Sequence, residues 1–253
     1  RTEKKHKGFS ITIRPVGKTF EMPESRDFSH GNLTFRNISK GWHIENQHYK
    51  LEILRTGGSL VKLMDKTGNT RLKNMEFWAG QGFGVNEMWD AYGQRKTSGG
   101  TAYSSSNDVE TALNIQTEGK KVILRFSGVI KTFAVSFRRI KKPKTFFLLE
   151  YTLDDSPEIG IFARVYYVGK PGNAPRLGLT MQPVSASAEK MDGDIVLNGI
   201  SSMRIAGLKG ACDSEILRDR LNFMFLNKNK GSVQSHRWQT ISFTIRTNEG
   251  KQR

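Results

Sequence analysis

The chain has 253 residues, with 40 Lys+Arg against 24 Asp+Glu, a formal net charge of +16. That length fits one large β domain. A charged share of 25% is too ordinary for a disordered polyelectrolyte, and no apolar run approaches the ~18–20 residues of a membrane-spanning helix. The lone cysteine, Cys212, excludes an intrachain disulfide and a cysteine-built zinc site, and reads as a small buried hydrophobe in a loop or short helix. The five histidines show neither HxxxH nor HExxH spacing, so neither metal nor cofactor is expected.

Residues 1–8, with Lys4, Lys5 and Lys7, read as a basic tail, and the chain opens at Arg1 rather than Met, as a trimmed terminus would. A secreted or periplasmic location is the expectation. From residue 9 onward, period-2 alternation dominates. Phe9, Ile11 and Ile13 alternate, then Leu33 and Phe35, then Tyr49, Leu51 and Ile53 against Lys50 and Glu52. Val122, Leu124 and Phe126 follow, then Phe133, Val135 and Phe137, and further strands are expected at 147–153, 161–168, 177–181, 221–226 and 238–246. Turn chemistry separates them at Gly57-Gly58, 65–69, 154–157, 170–173 and Asp192-Gly193. Only 213–220 reads as helical, with Asp213 as N-cap. Many strands without helical crossovers predict an all-β protein, a large antiparallel two-layer β-sandwich filling residues 9–253 as one domain.

The run Glu45-Asn46-Gln47-His48-Tyr49-Lys50-Leu51-Glu52-Ile53 leads into Gly57-Gly58-Ser59-Leu60-Val61-Lys62-Leu63-Met64-Asp65-Lys66-Thr67-Gly68. It resembles the opening hairpin of the galactose-mutarotase-like superfamily. Arg176-Leu177-Gly178-Leu179 and the terminal run from Trp238 to Ile245 are similar to later strands of that superfamily. The resemblance implies a supersandwich fold and a concave face that meets sugar. True aldose epimerases carry an Asn-His-x-x-Phe-Asn segment in mid-chain. Here no histidine lies between His48 and His236, so the epimerase residue roles are not carried over.

Four groups of residues could carry chemistry. The stretch 79–108 is glycine- and serine-rich, yet it holds Asn86, Glu87, Trp89, Asp90, Tyr92 and Arg95, with Trp78 at its entry. Flat aromatics cover the C–H faces of sugars and carboxylates or amides bind the hydroxyl rim, so this loop is expected to line a glycan cleft. Glu87, Asp90 and Tyr92 are its candidate acid/base groups, and Trp78, Asn86, Trp89 and Arg95 its candidate contacts. The second group is His43, His48, His236, Arg237 and Trp238, with Tyr166 or Tyr167 as a further proton carrier; a histidine suits proton transfer, and His236 is the candidate here. An arginine fork such as Arg176 or Arg237 suits a uronate carboxylate. The third is the basic run 138–144 containing Arg139, expected at a hairpin tip in contact with a polyanion. The fourth, Asp192-Gly193-Asp194, is a hairpin turn rather than a calcium site.

The expected function is binding of an acidic poly- or oligosaccharide in a cleft, with cleavage (by a lyase or hydrolase) or epimerisation open to it. The alternatives are a non-catalytic recognition domain of a larger glycan-degrading enzyme and a basic nucleic-acid-binding β-protein. No RNP, helix-turn-helix or zinc-finger signature supports the last, so nucleic acid is the lesser reading.

Overall fold

The structure is a computed structural model that describes residues 26–80, 102–132, 144–168, 176–184, 187–198, 203–210, 212–217, 220–225 and 236–247. In chain order its strands are β1 (Phe28–His30), β2 (Leu33–Ile38), β3 (Gly41–Glu45), β4 (Tyr49–Leu54), β5 (Leu60–Asp65), β6 (Thr70–Gly80), β7 (Ala102–Ser104), β8 (Ala112–Glu118), β9 (Lys121–Val129) and β10 (Lys131–Thr132). They continue as β11 (Lys144–Leu153), β12 (Glu158–Val168), β13 (Arg176–Pro183), β14 (Ser187–Met191), β15 (Asp194–Asn198), β16 (Met203–Gly210), β17 (Cys212–Leu217), β18 (Arg220–Phe225) and β19 (Trp238–Thr247). One sheet runs β1-β2-β3-β4-β5-β6-β13-β18-β17, with β7 and β10 off the β6 side, and the second runs β14-β15-β16-β19-β12-β11-β9-β8. Every described pairing is antiparallel. The all-β, two-sheet sandwich expected from the alternation is therefore the architecture observed.

The core lies between the sheets because each strand sends every second side chain inward. On β12 the odd residues Ile159, Ile161, Ala163, Val165 and Tyr167 are buried and the even residues are half-buried on the outer face. Aromatics bridge the layers: Phe77 meets Phe147 at 5.4 Å between ring centroids and Phe223 meets Phe243 at 4.9 Å. The segment 213–220, expected as a helix, is instead strand β17 through Leu217, paired along β18 from Cys212↔Phe225 to Leu217↔Arg220. Pairing with a core strand overrides the local helical pattern. Cys212 accordingly sits in a strand rather than in a loop or short helix.

The motif that carried the family resemblance turns out to do structural work. Asn46 accepts from the backbone N–H groups of His48 (2.8 Å) and Tyr49 (2.9 Å) and donates to the carbonyls of Asp154 (2.9 Å) and Ser156 (3.2 Å), joining the β3–β4 turn to the β11–β12 turn. Gly57 and Gly58 both have positive φ, 67° and 62°. A Cβ on Gly57 would lie 2.3 Å from the Ser105 carbonyl oxygen, and one on Gly58 would lie 2.4 Å from the Phe126 ring of the opposite sheet. The Tyr151 hydroxyl, from that same sheet, donates to the Gly58 carbonyl at 2.7 Å. Burial pushes the Tyr151 phenol up, which keeps it a donor. In the next turn Asp65 accepts from the Thr67 N–H and hydroxyl, the Asn69 N–H and the Arg71 guanidinium. Desolvation raises the Asp65 carboxyl, but the hydrogen bonds from Thr67, Arg71 and Asn69 outweigh it and hold it at about 2.

Gly58→Ala introduces both a clash and an unfavourable φ, so chemical denaturation should show a loss of about 2–4 kcal/mol. Gly68→Ala, also at positive φ but with open space around it, should lose only about 1 kcal/mol. Asp65 has its folded pKa below the ordinary 3.8, so its contribution is full above that pH and fades as the pH falls through about 2. Asp65→Asn should therefore lower the thermal midpoint at neutral pH, with the gap to the parent protein closing over that acid window.

Candidate functional site

The outward faces of the two sheets differ in chemistry. On the first sheet, the outward residues of β2 to β5 form a paired charge lattice. Lys62 Nζ lies 2.8 Å from Glu52, Arg36 lies 3.5 Å from Glu45, and the His43 ring lies between Glu45 (3.3 Å) and Glu52 (3.7 Å). Further along, β6 bulges at Asn74, which has φ 54°, and the register against β13 shifts there. The bulge switches the alternation, so that Met75, Phe77 and Ala79 enter the core while Glu76 and Trp78 take the outer face.

That outer patch is polar and buried. Glu76, Thr180 and Asn222 are direct cross-strand neighbours on β6, β13 and β18, and all three are buried. The Ser104 hydroxyl donates to Glu76 Oε2, and Thr180 Oγ1 is buried with no hydrogen-bond partner among the described residues. Trp78 is 2% exposed, its indole packed over Gly178, where a Cβ would come within 2.9 Å of the ring. Arg176 pairs with Gly80 at the edge of this patch.

The second sheet presents a reachable cluster where β12 ends and β19 begins. Tyr166 pairs directly with Trp238, and their rings lie 5.2 Å apart at 47°. The Arg164 guanidinium sits 4.9 Å from the Trp238 ring and 5.9 Å from the Phe162 ring. Arg164 Nε is buried and has no hydrogen-bond partner among the described residues. Cation–π attraction to these rings holds the guanidinium beside Trp238. His236 and Arg237 are both exposed just before Trp238, and the His236 ring stands edge-on to Tyr166 at 6.5 Å. His236 has φ 57° and its backbone N–H donates to the Tyr167 carbonyl at 2.8 Å. A non-glycine residue in this conformation is held there against a backbone preference.

The expected second group thus divides between the sheets. His236, Arg237 and Trp238 come together with Tyr166, while His43 lies on β3 of the first sheet and His48 in the β3–β4 turn. Tyr167, weighed beside Tyr166 as a proton carrier, points into the core, and burial pushes its phenol up. Trp78 and Arg176 belong to the first sheet. Asn86, Glu87, Trp89, Asp90, Tyr92, Arg95 and Arg139 lie outside the described residues. The Asp192-Gly193 turn joins β14 to β15 with φ 50° and 85°, as a hairpin turn requires, and Asp194 is engaged by Arg204 (3.6 Å) and the Gly207 N–H (3.2 Å). Among the described residues no cluster of three or more His, Cys, Asp or Glu could hold a metal ion.

Neither Arg164 nor Phe162 stands out in the sequence as a site residue, although the 161–168 strand does stand out as a strand. Their signal is the polar and aromatic phase of that strand, Phe162, Arg164, Tyr166, set against its apolar phase.

No protein-family model matches this sequence, and no curated protein sequence matches it. Among solved structures the chain is similar to a 4-alpha-glucanotransferase from Thermococcus litoralis, with 14% identity and a TM-score of 0.49 over 86% of this chain and 39% of that one. It is also similar to a galactose 1-epimerase from Lactobacillus acidophilus NCFM, with 8% identity and a TM-score of 0.48 over 92% of this chain and 98% of that one. The chain therefore spans well under half the length of the glucanotransferase. These are likenesses of fold.

If the His236 backbone is held at cost to present its ring, His236→Gly should leave the thermal midpoint unchanged or raise it, by up to about 1 kcal/mol of stability. Thermal unfolding by circular dichroism measures this directly; a marked fall in midpoint would show that the ring supports the fold.

Proposed function

We propose that this chain binds an anionic poly- or oligosaccharide on the outer face of the second sheet, at Tyr166, Trp238, Arg164, His236 and Arg237. One observation carries the reading: the Arg164 guanidinium lies 4.9 Å from the Trp238 ring, its Nε without a hydrogen-bond partner among the described residues, next to a half-exposed tyrosine–tryptophan pair. A uronic-acid residue needs an apolar plane for its C–H face and a cation for its carboxylate, and this cluster offers an aromatic pair with a guanidinium beside it. The sugar-binding superfamily that the 45–68 segment resembles agrees in ligand class. The buried patch around Glu76 and Trp78 is less suited to a polymer, which requires exposed surface.

Lyase chemistry at the same cluster is the second reading, favoured by His236 standing beside Tyr166. In β-elimination a base removes the proton α to the carboxylate, the bond from the β-carbon to the glycosidic oxygen breaks, a carbon–carbon double bond forms, and an acid returns a proton to the leaving oxygen. Arg164 would neutralise the carboxylate, and His236 and Tyr166 would share the proton transfers. A rise in ultraviolet absorbance on incubation with uronic-acid polysaccharides supports this reading. Silence across a broad panel leaves a recognition domain.

Calorimetric titration with uronic-acid oligosaccharides tests the binding itself. Trp238→Ala should weaken affinity about tenfold, about 1.4 kcal/mol. Arg164→Ala should weaken it about tenfold to a hundredfold for uronates and little for the matching neutral sugars. Unchanged affinity in both variants would remove this face from the site. Tighter binding to single-stranded DNA than to any glycan would favour nucleic acid, whose bases also stack on aromatics.

A further inference from the structure

We infer that the ligand is a linear chain lying across the strands and filling several positions, rather than a single sugar in a pocket; this rests on the anionic-glycan reading above. The register carries the argument. Trp238 on β19 pairs with Tyr166 on β12, Tyr166 pairs with Phe146 on β11, and Phe146 pairs with Val129 on β9. All four side chains are half-buried on the outer face, while their chain neighbours Gln239, Tyr167, Phe147 and Ile130 are buried. They therefore form one apolar row perpendicular to four strands. Strands lie about 4.8 Å apart, so the row extends about 14 Å from β9 to β19, longer than any single pyranose ring.

The neighbouring row supplies what such a chain needs along its edge. Ser127, Leu148, Arg164 and Thr240 occupy the next outward register on the same four strands. Two hydroxyls thus flank the row at its two ends, and one cation stands near its middle. One row further on, Arg125 is paired with Glu150 at 2.7 Å and is not available to an anion. Arg164 is therefore the cationic position in this register among the described side chains, with exposed Arg237 next to Trp238 at the end of the row. A chain laid over Val129, Phe146, Tyr166 and Trp238 would stack successive rings on successive side chains and bring one carboxylate to Arg164. A monosaccharide would use only the Tyr166–Trp238 end.

Calorimetric titration of the intact chain with oligogalacturonates and oligomannuronates of one to four residues tests this. Affinity should rise at least tenfold from monomer to trimer and then level off. Phe146→Ala, which removes the far half of the row, should lower trimer affinity about tenfold and leave monomer affinity unchanged. A monomer that binds as tightly as the trimer overturns the chain reading while keeping the anionic-glycan site. Binding by no member of either series, or tighter binding of a single-stranded oligonucleotide, overturns both. The length series is read on the unaltered protein, so the result stands even if Phe146→Ala is poorly folded.

Discussion

The register of β12 between β11 and β19 is the constraint on which both the core and the proposed site depend. Ten consecutive pairs join β11 to β12, from Lys144↔Val168 to Leu153↔Ile159, and nine join β12 to β19, from Glu158↔Arg246 to Tyr166↔Trp238. A slip of one residue would turn Ile159, Ile161 and Val165 outward, at a cost of roughly 5–9 kcal/mol. The same slip would bury Arg164 and Tyr166. The apolar phase of the strand thus fixes the position of its polar and aromatic phase. Of the proposed site, Arg164, Tyr166 and Trp238 sit on sheet strands rather than on a loop, which would limit the ordering cost of binding.

The corners that close the sandwich reinforce this geometry. Gly57 and Gly58 let the β4–β5 corner approach Ser105 and Phe126 more closely than any side chain permits, and Tyr151 ties that corner to β11. The family-like residues Asn46, Gly57, Gly58 and Asp65 therefore act in the fold rather than in chemistry. The net charge of +16 is also redistributed by the structure. Lys62, Arg36, Arg71, Arg125 and Arg246 all face carboxylates. The exposed pairs among them, such as Arg246–Glu158, contribute little to stability, but all of them remove those cations from competition for an anionic ligand. Arg164 instead lies between two aromatic rings, and its Nε has no partner among the described residues.

Much of the fold was legible because its central strands alternate cleanly: 49–53, 122–126, 147–153, 161–168 and 238–246 all fall within observed strands. Strand β6 carries no clean alternation because the Asn74 bulge breaks its period and because the polar residues Arg71 and Glu76 are buried. The local spacing of 213–220 fits a helix, while the partner that makes β17 a strand, β18, contributes only through tertiary pairing. The same reason limited the site. Trp238 and His236 lie two residues apart in sequence and are legible as a pair. Arg164 joins them only through the Tyr166↔Trp238 register, and the apolar row needs three registers at once. Cross-strand neighbours of this kind carry no local sequence signal.

The chain holds four tryptophans, Trp42, Trp78, Trp89 and Trp238, and each indole N–H gives its own nuclear magnetic resonance signal. Trp42 is fully buried, Trp78 is 2% exposed, and Trp238 is half-buried within the cluster. Titrating the isotope-labelled protein with a uronic-acid trimer should move the Trp238 indole signal in proportion to occupancy while the Trp42 signal stays fixed. A Trp238 signal that stays in place at saturating ligand would contradict the central claim that the outer face of β12 and β19 is where the glycan binds.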